Sequence, residues 1–179
     1  MSMGKETSGI IVGLAGKKRS GKSSAANILR QELAKEGYQP VRLGFADYLK
    51  NQVTTVTGPL NDEEKCMVRP TLQNLADFYK YRYGQRFFIQ RWLEIHEVFA
   101  SRGVNAFIID DVRYPFEAEW IQEQGGVVYK MVRDDDGDQD NDQHSSETSV
   151  DLIEAEQWTL STFEENPDYV VSELLGALS

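Results

Sequence analysis

The stretch Ile10-Ile11-Val12-Gly13-Leu14-Ala15-Gly16-Lys17-Lys18-Arg19-Ser20-Gly21-Lys22-Ser23 decides how this chain is read. Ile10 to Ala15 is a β-rich apolar run bounded by glycines, the pattern of a strand buried on both faces. Gly16 to Ser23 satisfies G-x-x-x-x-G-K-[ST], and behind it Ala25, Ile28, Leu29 and Leu33 share one face of a helix that Gly37 stops. A strand, a glycine loop and a helix in that order make a phosphate cradle. The glycines let successive N–H groups turn inward, and the helix N-terminus adds partial positive charge. Lys22 then sets an ammonium against the β- and γ-phosphates of a nucleoside triphosphate, and the Ser23 hydroxyl is a ligand for Mg²⁺. Gly16, Lys18, Ser20, Gly21 and Ser24 complete the expected ATP-binding loop.

Outward from that loop, residues 40–45 read as a second strand. Residues 46–102 turn helical, with breaks at Gly58-Pro59, before Arg69-Pro70 and at Gly84. Strands return at residues 105–110, at 127–132 after a helix ended by Gly125-Gly126, and at 169–171. Five short apolar strands alternating with helices predict an α/β fold, a doubly wound five-stranded parallel sheet in a single domain. In that fold Phe107-Ile108-Ile109-Asp110-Asp111 emerges beside the phosphate loop, with a carboxylate to hold the Mg²⁺ water shell or accept a proton. Neighbours on a strand face opposite ways, so only one of the two is expected to face the nucleotide.

Charge narrows the function. The 19 Lys and Arg against 29 Asp and Glu give −10, yet every basic residue lies at or before Arg133. From residue 134 onward the chain has 14 acidic residues and no basic one. Polyanions are held through many Lys and Arg contacts, so no extended nucleic-acid binding is expected, while local anion sites remain open to the first 133 residues. The apolar run at 9–16 is too short to span a bilayer and follows no basic leader region, so neither membrane insertion nor secretion is expected. Cys66, the one cysteine, cannot form an intramolecular disulfide, and a cytoplasmic location fits it best. No Asn-Lys-x-Asp or Thr-Lys-x-Asp element is present, which disfavours a regulatory GTPase. A small phosphotransferase fits the length.

Further segments point the same way: Gly44-Phe45-Ala46-Asp47-Tyr48-Leu49-Lys50, Arg69-Pro70-Thr71-Leu72-Gln73, and Asp111-Val112-Arg113-Tyr114-Pro115-Phe116-Glu117-Ala118. After them come Gly125-Gly126 before a strand ending in Arg133, and His144-Ser145-Ser146-Glu147. In order and spacing these segments, over about residues 9–150, resemble those of the bacteriophage deoxynucleoside monophosphate kinases, within the nucleoside monophosphate kinase superfamily. The resemblance implies a phage-encoded enzyme of the host cytoplasm that passes the γ-phosphoryl of ATP, with Mg²⁺, to a deoxynucleoside 5′-monophosphate. It makes residues 46–102 the acceptor-binding region and 133–147 a lid. It implies acceptor contacts from Asp47, Lys50, Arg69, Gln73 and Arg113, places Asp111 on the reaction side with the metal, and brings Arg133 to the transferring group. The chemistry agrees, since transfer between two anions asks for positive charge around both phosphates.

Other residues carry plainer expectations. Of Phe78, Tyr79, Tyr81, Tyr83, Phe87 and Phe88, one or two are expected in the pocket and the rest in the core. His96 reads as structural, and Cys66 as chemically idle. The lid-like run carries Asp134, Asp135, Asp136, Asp138, Asp140, Asp142 and Glu147 with no base after Arg133, and reads as a solvated loop. A Ca²⁺ loop is its sharper alternative, although the glycine and closing glutamate miss EF-hand spacing. Rival functions are a related kinase acting on a hydroxymethylated pyrimidine within DNA, disfavoured by the acidity, and a nucleotide-binding protein without turnover. A monomer and a homodimer are equally compatible with the sequence.

Overall fold

Every residue from Ile11 to Ala15 is buried, so the strand they form, β1 (Ile10–Ala15), sits inside a sheet rather than at its edge. The computed structural model describes residues 9–133 and 148–178. In it β1 pairs with β3 (Ala106–Val112) on one side and β4 (Val127–Val132) on the other. The sheet is completed by β2 (Pro40–Arg42) beyond β3 and β5 (Glu156–Thr159) beyond β4. The order is β2-β3-β1-β4-β5, every pair parallel.

Alternation along β1 divides the core in two. Val12 and Leu14 meet Ala25, Leu29 and Leu33 of α1 (Lys22–Lys35). The same layer takes Phe163 of α6 (Leu160–Glu165) and Val170 and Leu174 of α7 (Pro167–Ala177). Ile11 and Ala15 face the opposite layer, where Trp92 of α4 (Phe87–Ala100) and Trp120 and Ile121 of α5 (Pro115–Glu123) are buried. Burying each such side chain contributes roughly 1.5–3 kcal/mol relative to exposure. Gly13 is the bare spot that lets α5 close on the sheet, since a Cβ there would lie 2.7 Å from Ile121 Cδ1. The doubly wound parallel α/β architecture is as the sequence predicts.

Besides the second strand, which stops at Arg42 rather than at residue 45, three local expectations fail. Residues 169–171 are not a strand but part of α7, because Pro167 starts a helix whose Val170, Val171 and Leu174 face the core at helical spacing. The fifth strand is instead Glu156–Thr159, an edge segment whose one buried residue is Trp158. The break before Arg69-Pro70 is also absent, as α3 (Asp62–Tyr83) runs through Pro70. A proline there costs an intrahelical hydrogen bond, and α3 offsets it at its start. Asn61 Oδ1 accepts the Glu64 N–H at 2.9 Å, while Glu64 Oε2 accepts the Asn61 N–H at 2.8 Å.

The aromatic run is the third. Phe87 and Phe88 are buried as expected, but Phe78, Tyr81 and Tyr83 stand in solvent, Tyr81 at 88% exposure. No residue of α3 is fully buried; Leu72, Leu75, Ala76 and Tyr79 lean on the core, so α3 forms a wall beside α2 (Asp47–Thr57). Among the described residues no helix is long and apolar enough to cross a membrane. The acidic run at 134–147, with both readings placed on it, lies outside the described residues.

Candidate active site

The phosphate loop joins β1 to α1. Gly21 caps α1 in the left-handed region at φ 84°, with no side-chain cap and no acidic residue in the first turn, which leaves the first N–H groups of α1 as the kind of helix end that binds anions. Gly16 is required by its surroundings, because a Cβ on it would lie 2.5 Å from Ser20 Oγ and 2.7 Å from the Met131 carbonyl oxygen. The buried Lys22 ammonium arches over the loop, donating to the Lys17 carbonyl and, at 3.2 Å, to Ser20 Oγ. Two arginines brace the loop. Arg113, just past β3, donates to the Gly16 carbonyl at 3.0 Å, and Arg133, just past β4, to the Lys18 carbonyl at 3.1 Å.

The two carboxylates depart from the expected alternation. Pairing of β1 with β3 shifts register between Gly13, opposite Ile109, and Ala15, opposite Val112. Asp110 and Asp111 therefore share the space opposite Leu14, and this β-bulge re-aims their side chains so that both line one pocket. Asp110 is 4% exposed. Its Oδ2 accepts the Ser23 hydroxyl at 3.0 Å and Arg42 Nε at 2.9 Å, while its Oδ1 is buried with no hydrogen-bond partner.

Asp111 is engaged elsewhere. Its oxygens accept the N–H groups of Phe45, at 2.8 Å, and Ala46, at 3.0 Å, and its carboxylate lies 3.5 Å from the Lys50 ammonium. Gly44 makes room, since a Cβ there would sit 2.5 Å from Asp111 Oδ2. Burial works against the Lys50 ammonium, but Asp111 and Asp47 outweigh it and hold its pKa above the ordinary lysine value. A hard cation seeks a hydroxyl and a carboxylate with a free lone pair. Ser23 and Asp110, with its orphaned Oδ1, fit Mg²⁺; Asp111, the expected companion of Ser23, is not its partner in the structure and spends an N–H bond on each oxygen at the turn at 44–46.

A single pocket of about 830 Å³ runs from the phosphate loop past these carboxylates to a slot between α2 and α3. Lys18, Ser20, Gly21, Lys22, Ser23 and Ser24 line its phosphate-loop end. Of the expected acceptor residues, Lys50, Arg69, Gln73 and Arg113 also line it. Three expected site residues do not. Gly16 is buried beneath the loop, Arg133 braces it through the Lys18 carbonyl, and Asp47 turns away to accept the Gly44 N–H at 2.8 Å and to pair with Lys50 at 2.9 Å. Of the six aromatics only Phe88 reaches the lining. His96 is structural, buried between Trp92 and Phe107 with ring centroids 5.0 and 4.3 Å away.

Sequence reasoning missed Arg42, Lys80, Tyr114 and Glu117, all in the lining. Lys80 donates to the Tyr114 hydroxyl at 2.7 Å and lies 4.0 Å above its ring. Glu117 Oε2 accepts the N–H groups of Arg113, at 2.8 Å, and Tyr114, at 3.1 Å, and so fixes the turn that aims both side chains. Burial pushes the Glu117 carboxyl up to about 7; the Asp111 charge adds to this, and the two N–H bonds and Lys80 oppose it. Glu117 lay within a quoted motif, so its position was visible and only its burial was not. Arg42 and Lys80 carried no sequence signal beyond their charge.

No family model matches the sequence, and no curated protein does. Solved structures similar to this chain include a mutant APS kinase of Mycobacterium tuberculosis, 15% identical over 95% of this chain and 99% of that one, with a TM-score of 0.49. A sugar kinase from Janibacter sp. HTCC2649 is 17% identical over 94% of this chain and 95% of that one, with a TM-score of 0.45.

Proposed function

We propose that this protein is an ATP- and Mg²⁺-dependent kinase that phosphorylates a deoxynucleoside 5′-monophosphate to the diphosphate. The observation that carries the reading is one continuous pocket that begins at the phosphate loop and ends among cations, with Lys50, Lys65, Arg69, Lys80 and Arg113 on its acceptor side. Two anions brought together need that charge. Leu49 and Val53 of α2, with Leu72 and Ala76 of α3, offer a base an apolar slot, and the Gln73 amide offers its edge a donor and an acceptor.

The transfer balances without a proton. An acceptor phosphate oxygen bonds to the γ-phosphorus as the bond from that phosphorus to the β–γ bridging oxygen breaks, and the bridging oxygen leaves on ADP with the electron pair. No general base is demanded, which agrees with Asp111 having both oxygens committed to backbone N–H groups. Lys22 holds the donor phosphates, and Ser23 and Asp110 would hold Mg²⁺, which supplies charge stabilisation on the phosphate oxygens. Arg113, pinned between the Gly16 carbonyl and the Glu117 turn, ties donor loop to acceptor side.

A coupled ADP-release assay tests this across the four deoxynucleoside monophosphates and their ribose counterparts, with free nucleosides and hydroxymethylated duplex DNA as control acceptors. Turnover is expected with at least one deoxynucleoside monophosphate and with neither control. Turnover confined to nucleosides or DNA would overturn the reading.

A further inference from the structure

We propose that Arg42 binds the phosphate of the acceptor, as a guanidinium fork held at the transfer point by Asp110. The inference rests on the kinase reading and adds to it an acceptor-side residue outside every motif quoted above. Arg42 ends β2 and lines the pocket beside the phosphate loop. Its Nε donates to Asp110 Oδ2 at 2.9 Å, the same oxygen that accepts the Ser23 hydroxyl at 3.0 Å. Only two contacts therefore separate the guanidinium from the loop serine beside the donor's terminal phosphate.

The tether uses one edge of the guanidinium and leaves the other. Nη1 and Nη2 have no hydrogen-bond partner among the described residues, and 39% of the side chain is exposed to the pocket side and solvent. Two parallel N–H groups on a planar fork match two phosphate oxygens, and a fork already anchored loses less rotamer freedom on binding. Four of the other acceptor-side cations likewise have a protein partner, and keep their charge and remaining donors for the acceptor. Lys50 is tied to Asp47 and Asp111, Lys65 to Asp62, Lys80 to Tyr114, and Arg113 to the Gly16 carbonyl. Arg69, the remaining one, sits on the α3 wall. Arg42 does not contend with a metal for the orphaned oxygen, because it uses Oδ2 and Oδ1 is the atom without a partner.

The competing role is that Arg42 merely neutralises Asp110, and two variants separate the roles. Arg42→Lys keeps a cation for Asp110 but loses the fork; Arg42→Gln loses both. Each is titrated by calorimetry, loaded with Mg²⁺ and a non-hydrolysable ATP analogue, against deoxynucleoside monophosphates and, separately, inorganic phosphate. Affinity for the loading analogue and KM values for both substrates are measured alongside.

Arg42→Lys is expected to weaken monophosphate binding and raise its KM about tenfold, with ATP-analogue affinity within about twofold of wild type. A monophosphate affinity unchanged in Arg42→Lys overturns the proposal, whether or not Arg42→Gln folds. So does a loss in Arg42→Gln that falls equally on ATP and monophosphate while Arg42→Lys matches wild type. If the wild type phosphorylates no monophosphate yet binds inorganic phosphate in an Arg42-dependent way, the acceptor reading fails and the fork stands. If the loaded wild type binds neither probe, the fork fails.

Discussion

Asp110 and Asp111 differ by one position and by almost everything that matters to chemistry. Asp110 is buried against Ser23 and Arg42 with an oxygen unsatisfied, and Asp111 spends its oxygens on the backbone of the turn at 44–46. Asp110→Asn should therefore raise the Mg²⁺ concentration needed for half-maximal rate and lower kcat/KM by about a hundredfold or more. Asp111→Asn should leave the Mg²⁺ dependence near wild type and lower thermal stability instead. A Mg²⁺ titration of the initial rate for both variants checks this, and the reverse order would contradict it. The sequence showed the carboxylate pair, and the family resemblance pointed to Asp111, yet Asp110 is the member that meets Ser23, because alternation allows only one of the two into the pocket and the bulge opposite Leu14 breaks that rule.

Glu117 carries a pH prediction whose sign follows from its direction of shift. Its folded pKa of about 7 lies above the ordinary 4.5, so the stability due to its neutral form is complete below about pH 4.5 and is lost as pH rises through about 7. At pH 8 the buried charge costs on the order of 3 kcal/mol. Glu117→Gln keeps an oxygen for the Arg113 and Tyr114 N–H groups and removes that charge. It should unfold several degrees above wild type at pH 8, with the gap narrowing toward pH 4.5. Calorimetric melts at both pH values measure it, and a gap independent of pH would contradict the assignment.

At the scale of elements, what was legible depended on whether local chemistry and tertiary packing agreed. In β1, the loop and α1 they did, so Gly16, Gly21, Lys22 and Ser23 could be read in place. In α7 the run Tyr169-Val170-Val171 has strand-like composition, yet Pro167 and the position of Leu174 impose a helix. In α3 the Pro70 stop signal was overridden by a 22-residue helix capped at Asn61. That cap matters because α3 buries no residue completely and relies on its ends. Asn61→Ala should lower stability by about 1 kcal/mol and speed amide exchange at the start of α3, with little change at α1. Denaturant midpoints and hydrogen exchange resolve this. Uniform loss of protection across the chain would instead mean that α3 does not open on its own.

For the molecule as a whole, the strand order β2-β3-β1-β4-β5 is what assembles the site. With β1 in the middle, its loop emerges between the ends of β3 and β4, and Arg113 and Arg133 from those ends bond the loop's carbonyls. β2 then delivers Arg42 to Asp110, which also accepts the Ser23 hydroxyl. A loop so braced should bind nucleotide as a preformed site. An ATP analogue with Mg²⁺ at 100 times its Kd should stabilise the fold by about 2.7 kcal/mol, read as a rise in Tm, and Lys22→Ala should lose most of that rise without lowering the Tm of the free protein much.

The most direct test of the central claim is ³¹P NMR of the protein with Mg²⁺, ATP and each deoxynucleoside monophosphate in turn. The expected result is loss of the γ-phosphate signal of ATP matched by the two signals of a deoxynucleoside diphosphate for at least one base, at a rate that Lys22→Ala lowers by orders of magnitude. If ATP is consumed only to free phosphate, or if no deoxynucleoside diphosphate forms with any of the four monophosphates, the acceptor assigned to this pocket is wrong.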